Sequence, residues 1–299
     1  MPIKTVVNIF FFSMLSNDVV VVSRSRDIGY EAAVFLLGGI LSAVVASFIK
    51  TGFSGRFAVV GNDPNMLAVE SAFTLAVFSS FCFKYRTLPL SRYLTYAAAL
   101  GLVTLFCGSR MGLLLYAIVI ACSVLLNPKY LGKSFVVIGI LAIGVVAFLV
   151  SGIGQTMLDA LMTRTSVMEQ NDDVSNGRFE LWALYIATMT AQPMLWLFGL
   201  GNYTYYGIEE MAHNFLIEDI AGYGLIGVML LYTTYIIIYR TLYKNSMSKG
   251  KKQRIVLYQL LPFFVPIIGG LTLHGMTSIM NTTMLFIGVL CMTNQRQVI

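Results

Sequence analysis

The chain has 299 residues; 57% are apolar, 11% are charged, and the mean hydropathy is +0.78. A soluble globular domain carries about 25% charged residues, so an ordinary soluble fold is excluded. The net charge of +6 is spread along the chain as a membrane-topology signal and not as a nucleic-acid patch.

Runs of about 16–22 residues with almost no charge suit a hydrocarbon core about 30 Å thick. They predict an all-α, polytopic transmembrane protein with spans near 28–49, 64–83, 93–107, 111–126, 134–152, 214–239, 255–273 and 277–293. Segment 5–22 is an imperfect ninth, interrupted by Asn8, Asn17 and Asp18. Lys4 ahead of an apolar run also fits a signal peptide, but no small-x-small cleavage site stands clearly before the next span. Residues 93–126 as one helix would measure about 50 Å, too long for one crossing. The break is therefore set at GSRMG, 108–112.

Lysines and arginines gather at 24–26, 84–92, 129–133, 240–254 and 296, which marks those loops as cytoplasmic. The opposite side receives most of the acids and few bases: Lys50, Arg56, Arg110, Arg164 and Arg178. The one long loop, 153–213, lies on that outer side. NDDVSNG is its turn-rich polar stretch, and RFELWALYIATMTA follows with Phe179, Trp182, Ile186 and Met189 at helical spacing. That spacing predicts an amphipathic helix along the membrane interface, stopped by Pro193. Trp182 and Trp196 read as interfacial anchors ahead of any sugar-stacking role. The cysteines at 82, 107, 122 and 291 show no CxxC pair and read as buried thiols.

Arginines on the outer side gain nothing from topology, so each needs another reason. Headgroup contacts or ion pairs with nearby acids are the plain alternatives, and they weigh most for Arg56 and Arg164. In GNDPNMLA, Asp63 is placed to cap a helix whose first residue is Pro64. His213 precedes Asn214, a cap for the next helix, and an imidazole neutral near pH 7 can act as a base. His274 reads first as a helix-end residue. Gly222, Gly224 and Gly227 spell G-x-G-x-x-G, yet no strand precedes them, so they read as a helix-packing seam. No outer carboxylate pair has metal-ligand spacing; Asp172-Asp173 reads as solvated. No metal and no cofactor are expected.

The ordered set GNDPNMLA (61–68), GSRMG (108–112), SNGRFELW (175–182), FGLG (198–201) and AHNFLIEDIAGYGLIG (212–227) resembles the O-antigen polymerase and ligase superfamily over roughly 28–240. Members usually have more spans before this point, so the chain looks short at its N-terminus. The resemblance implies glycosyl transfer outside the cytoplasmic membrane from an undecaprenyl-diphosphate-linked glycan donor to a glycan or lipid-linked acceptor. Arg110 and Arg178 then match the diphosphate-binding arginines, Arg56 matches less closely, and His213 matches the family's histidine. Polymerisation of repeat units is the first expectation and ligation to a lipid A core the second. A transporter of lipid-linked sugars is the third; it should carry charge near the bilayer midplane, whereas Glu31 and Glu70 lie near span ends. A chain-length regulator is an expected partner alongside membrane lipids, and nucleic acid is not.

Overall fold

The computed structural model describes residues 28–51, 63–85, 88–125, 177–247 and 253–271, with Gly132, Val150, Gly152, Gln155, Asp159, Met284 and Leu285 as single positions. Among them every regular element is helical. In chain order they are α1 (Ile28–Thr51), α2 (Pro64–Ser79, continued by a π turn Ser80–Tyr85), α3 (Leu90–Cys107), α4 (Arg110–Leu125), α5 (Arg178–Ala191), α6 (Met194–Phe198), a 3-10 turn (Tyr203–Tyr206), α7 (Phe215–Met247) and α8 (Gln253–Gly270).

Among the described residues, three stretches are long and apolar enough to cross a membrane: Pro64–Phe83, Leu90–Cys107 and Phe215–Thr241. Ala33–Ser47, Arg110–Ser123 and Leu260–Gly270 are shorter apolar helices. The expected span 5–22, and most of 134–152 and 277–293, lie outside the described residues.

Helix α2 is the hub. Its sequence has no polar stripe, and nearly every side chain from Met66 to Cys82 is buried, a pattern that requires neighbours all round. Asp63 starts it as expected: its Oδ1 accepts from the Asn65 backbone N–H at 2.9 Å, and Pro64 opens the first turn. α3 ends at Gly108, whose φ of 59 is left-handed. The Ser109 hydroxyl then accepts from Gly112 N–H at 3.2 Å and starts α4. The break expected at GSRMG therefore has a local cause at each of its first two residues.

α2 and α4 run parallel. A Cβ on Gly112 would lie 2.3 Å from that of Ala68, so only glycine permits this approach. Eleven residues further along both helices, the Ser79 and Ser123 hydroxyls meet at 2.9 Å, and Tyr93 joins Ser79 at 3.0 Å. Gly269, near the end of α8, faces Val69 and Leu115. The starts of α2 and α4 and the end of α8 therefore share one end of the bundle.

α7 returns against α8, with Tyr239 stacked on Phe263 at 5.9 Å. The span expected over 214–239 is not one straight helix. Gly224 has φ 65 and ψ 175. Across it, the Tyr232 hydroxyl donates to Asp219 Oδ2 at 2.8 Å. In a straight helix those residues would stand about 20 Å apart along the axis. The first arm, 215–223, is folded back on the rest.

Residues 177–223 form a piece with its own apolar core: Tyr185, Met189, Leu200, Ile208, Ala212 and Ala221. The apolar stripe expected on α5 divides between two faces. Tyr185 and Met189 are buried and Trp182 is half-buried, whereas Phe179 (66%) and Ile186 (47%) are exposed. Pro193 falls where the expected stop lies; α5 ends at Ala191 and α6 begins at Met194.

Candidate functional site

The residues singled out in the sequence fall on two supports. Arg110 is the first residue of α4, exposed, at the bundle end shared with Asp63 and Gly269. The Gly112–Ala68 approach packs its turn against the start of α2. Asp63 caps that start: besides the backbone bond, Oδ1 and Oδ2 accept from Asn65 Nδ2 at 2.8 and 3.0 Å.

Arg178 is the first residue of α5, half-buried, following Gly177 at φ 76. Trp182 stands one turn later, on the same helix face. Its indole Nε1–H donates to the Ala212 carbonyl at 2.8 Å, the residue before His213. One turn further, the Tyr185 hydroxyl donates to the Glu210 carbonyl at 2.9 Å. The helix that begins with Arg178 therefore carries two side chains that grip the backbone of the His213 loop. Burial pushes the Tyr185 hydroxyl well above its ordinary pKa, with Tyr203 and Glu218 adding to the rise. Tyr203, edge-on to Tyr185 at 5.7 Å, is raised for the same leading reason. Both stay protonated, and Tyr185 remains a donor.

His213 has φ 50, the only positive φ outside glycine among the described residues. Its backbone N–H donates to Glu218 Oε1 at 2.9 Å. Asn214 is the cap it was expected to be: its Oδ1 accepts from Leu216 N–H at 3.0 Å and from Ile217 N–H at 3.4 Å. The helix start and the Glu218 carboxylate together hold the histidine backbone in its left-handed turn. His213 Nδ1 is shut away from solvent.

Phe215, two residues on, belongs to the same apolar cluster as Leu260, Phe263 and Ile267 of α8. From the Tyr239–Phe263 contact, seven residues back along α7 reach Tyr232 and seven forward along α8 reach Gly270. Phe215 touches Tyr232 at 6.1 Å. The start of α7 thus lies at the bundle end where α8 finishes and where Arg110 stands. Arg56, Arg164, His274 and the Asp172-Asp173 pair lie outside the described residues.

The glycine seam is corrected in detail. Gly224 makes the close approach: a Cβ there would stand 2.3 Å from the Leu197 carbonyl oxygen. Its opposite number is Gly199 of FGLG, where a Cβ would meet Gly224 N at 2.6 Å. Leu200 N–H donates to the Ala221 carbonyl beside them. Gly222 has open space instead, and Gly227 leaves room for Tyr223. Both line a groove of about 600 Å³ with Phe198, Leu200, Leu230 and Thr234.

Sequence reasoning missed Trp182, Tyr185 and Glu218 as holders of the loop. For Glu218 a partial signal existed: a carboxylate in the first turn of a helix can reach back to a backbone N–H, as in the capping box, here one residue further on and to the N–H before the cap. Residues 94–232 match the family model described as O-antigen ligase. That segment takes in the Arg110 turn, α5, the His213 loop and the Gly224 break. No curated protein and no solved structure matches the chain.

Proposed function

The segment 94–232 belongs to the O-antigen polymerase and ligase superfamily, and from that premise we propose that the protein is a membrane glycosyltransferase. Its donor is an undecaprenyl-diphosphate-linked glycan, and it acts at the outer face of the cytoplasmic membrane. Arg110 and Arg178 hold the diphosphate, with Arg56 as a further contributor. His213 accepts the proton of the acceptor hydroxyl as its oxygen bonds to the anomeric carbon. The bond from that carbon to the phosphate oxygen breaks, and its electron pair leaves with undecaprenyl diphosphate. A planar guanidinium matches two phosphate oxygens at once and neutralises charge that grows on the leaving group.

The observation that carries this reading is the Trp182–Ala212 hydrogen bond. One helix starts with a cation suited to phosphate and grips the backbone beside the histidine.

Polymerisation of repeat units, with a chain-length regulator as partner, is the first form of the reaction. Ligation of a finished glycan to a lipid A core or other acceptor is the second. A deletion strain separates them. Lipid-linked glycan accumulating as single repeats identifies a polymerase, and long unattached chains identify a ligase. A strain with wild-type glycan at every stage would refute both.

A further inference from the structure

The two supports of the site are joined at a weak place. Arg178 and His213 ride on the piece 177–223, with its own core. Arg110 belongs to the bundle around α2. The chain leaves the piece through Gly224, at φ 65 and ψ 175, where helical geometry is interrupted. A glycine link does not by itself fix the angle between two arms.

The contacts across the break include a hydrogen bond and a ring pair. Tyr232 donates its hydroxyl to Asp219 Oδ2 at 2.8 Å, and the Phe215 ring meets the Tyr232 ring nearly edge-on at 6.1 Å. Asp219 is 1% exposed. A carboxylate shut away from water is costly unless it is hydrogen-bonded. Helix formation asks for no carboxylate at this position; an apolar residue would bury there more cheaply.

We propose that Asp219 and Tyr232 form a latch that sets the angle of the folded-back arm, and so holds His213 in register with the bundle that carries Arg110. They are positioning residues for the transfer, and this step rests on the reading of the site given above. His213 lies eleven residues before the break, a lever of about 16 Å if helical throughout. A swing of about 5° moves its far end by about 1.4 Å, and a misplacement of about 1 Å can cost a reaction about 100-fold.

The test uses the whole protein in detergent, with the native cysteines replaced by alanine and spin labels at Ala183→Cys on α5 and Leu114→Cys on α4, both exposed positions. The latched protein gives one narrow distance. Tyr232→Phe keeps the ring and loses the donor, and it broadens that distribution. Asp219→Leu, similar in bulk and unable to accept, does the same and serves if Tyr232→Phe does not reach the membrane. Asp219→Asn still accepts from the hydroxyl and keeps the distance narrow. In transfer assays the two breaking variants lose about 10- to 100-fold in turnover with donor KM little changed, in proportion to the misplacement, and Asp219→Asn retains activity. A distribution as narrow in the breaking variants as in the parent overturns the latch. Broadening without loss of transfer, in a protein that His213→Ala inactivates, overturns the positioning role and leaves the site reading intact. If His213→Ala itself transfers normally, the site reading falls, and the distance measurement alone decides the latch.

Discussion

At position 213 the backbone sits at φ 50, a conformation that costs an L-residue about 1–2 kcal/mol. The Glu218 carboxylate and the Asn214 cap offset that cost through bonds that do not involve the imidazole. His213→Ala should therefore reach the membrane at normal level and make no detectable product, since general-base help is typically worth about 10²–10⁴-fold. Donor binding should survive, because the arginines remain. His274→Ala is the comparison and should cost much less; normal product from His213→Ala with none from His274→Ala would move the base to His274. Arg110 is tested by keeping charge and removing shape. Arg110→Lys should lose most activity while Arg86→Lys, in a cytoplasmic loop by its charge pattern, stays near wild type. Equal effects at the two positions would make Arg110 a topology residue. Asp63 and Asn214 were legible in the sequence because a cap bonds to N–H groups two or three residues away. The Trp182 bond was not, because its partner is thirty residues distant and is a backbone carbonyl, which any residue supplies.

Among the elements, α5 and the break in α7 show how local pattern and packing part company. Apolar spacing on α5 allowed a stripe through Phe179 and Ile186, yet the buried face runs through Trp182, Tyr185 and Met189. Trp and Tyr were the decisive residues, because each brings a polar tip that needs an acceptor when buried, and the loop 207–214 supplies two carbonyls. Trp182→Phe should thus weaken transfer more than Trp196→Phe. A net hydrogen bond of about 1 kcal/mol sets the scale, so roughly a 5-fold loss with near-normal protein level is expected; equal effects would reduce Trp182 to an anchor. The glycines differ in the same way. In sequence Gly222 and Gly224 belong to one motif, but only Gly224 has a left-handed φ and backbone atoms in the way of an added Cβ. Gly224→Ala should lower the detergent melting temperature and the folded yield, since strained φ alone costs about 1–3 kcal/mol and the Leu197 carbonyl cannot rotate away. Gly222→Ala, with open space around its Cβ, should melt with the parent. Matching losses at both positions would mean that the break at Gly224 is not the feature that matters.

Over the whole molecule, charge gave the sidedness that the packing alone leaves unstated. Ser79 and Ser123 repeat the register set by Ala68 and Gly112, so α2 and α4 point the same way and α3 must return between them. Whichever side Asp63 faces, Arg110 faces too. The break at Gly108 was readable because a helix of about 50 Å cannot fit one crossing and because a glycine–serine pair ends one helix and starts another. The fold-back at Gly224 was not readable, because it depends on Asp219 finding Tyr232 thirteen residues away. By the charge rule, the basic residues at 84–92 and 240–254 mark those loops as the inner ones, and on the proposed function the end bearing Asp63, Arg110 and the 177–223 piece faces out, towards the lipid-linked glycan. Ser175 stands two residues before Gly177, at the entry to that piece. A cysteine there, in a protein whose native cysteines are replaced by alanine, should react with a membrane-impermeant maleimide in intact cells with a permeabilised outer membrane. A cysteine at Ser248, in the basic connection between α7 and α8, should react only after lysis. The reverse pattern would turn the molecule over, put Arg110 and His213 in the cytoplasm, and remove the donor from their reach.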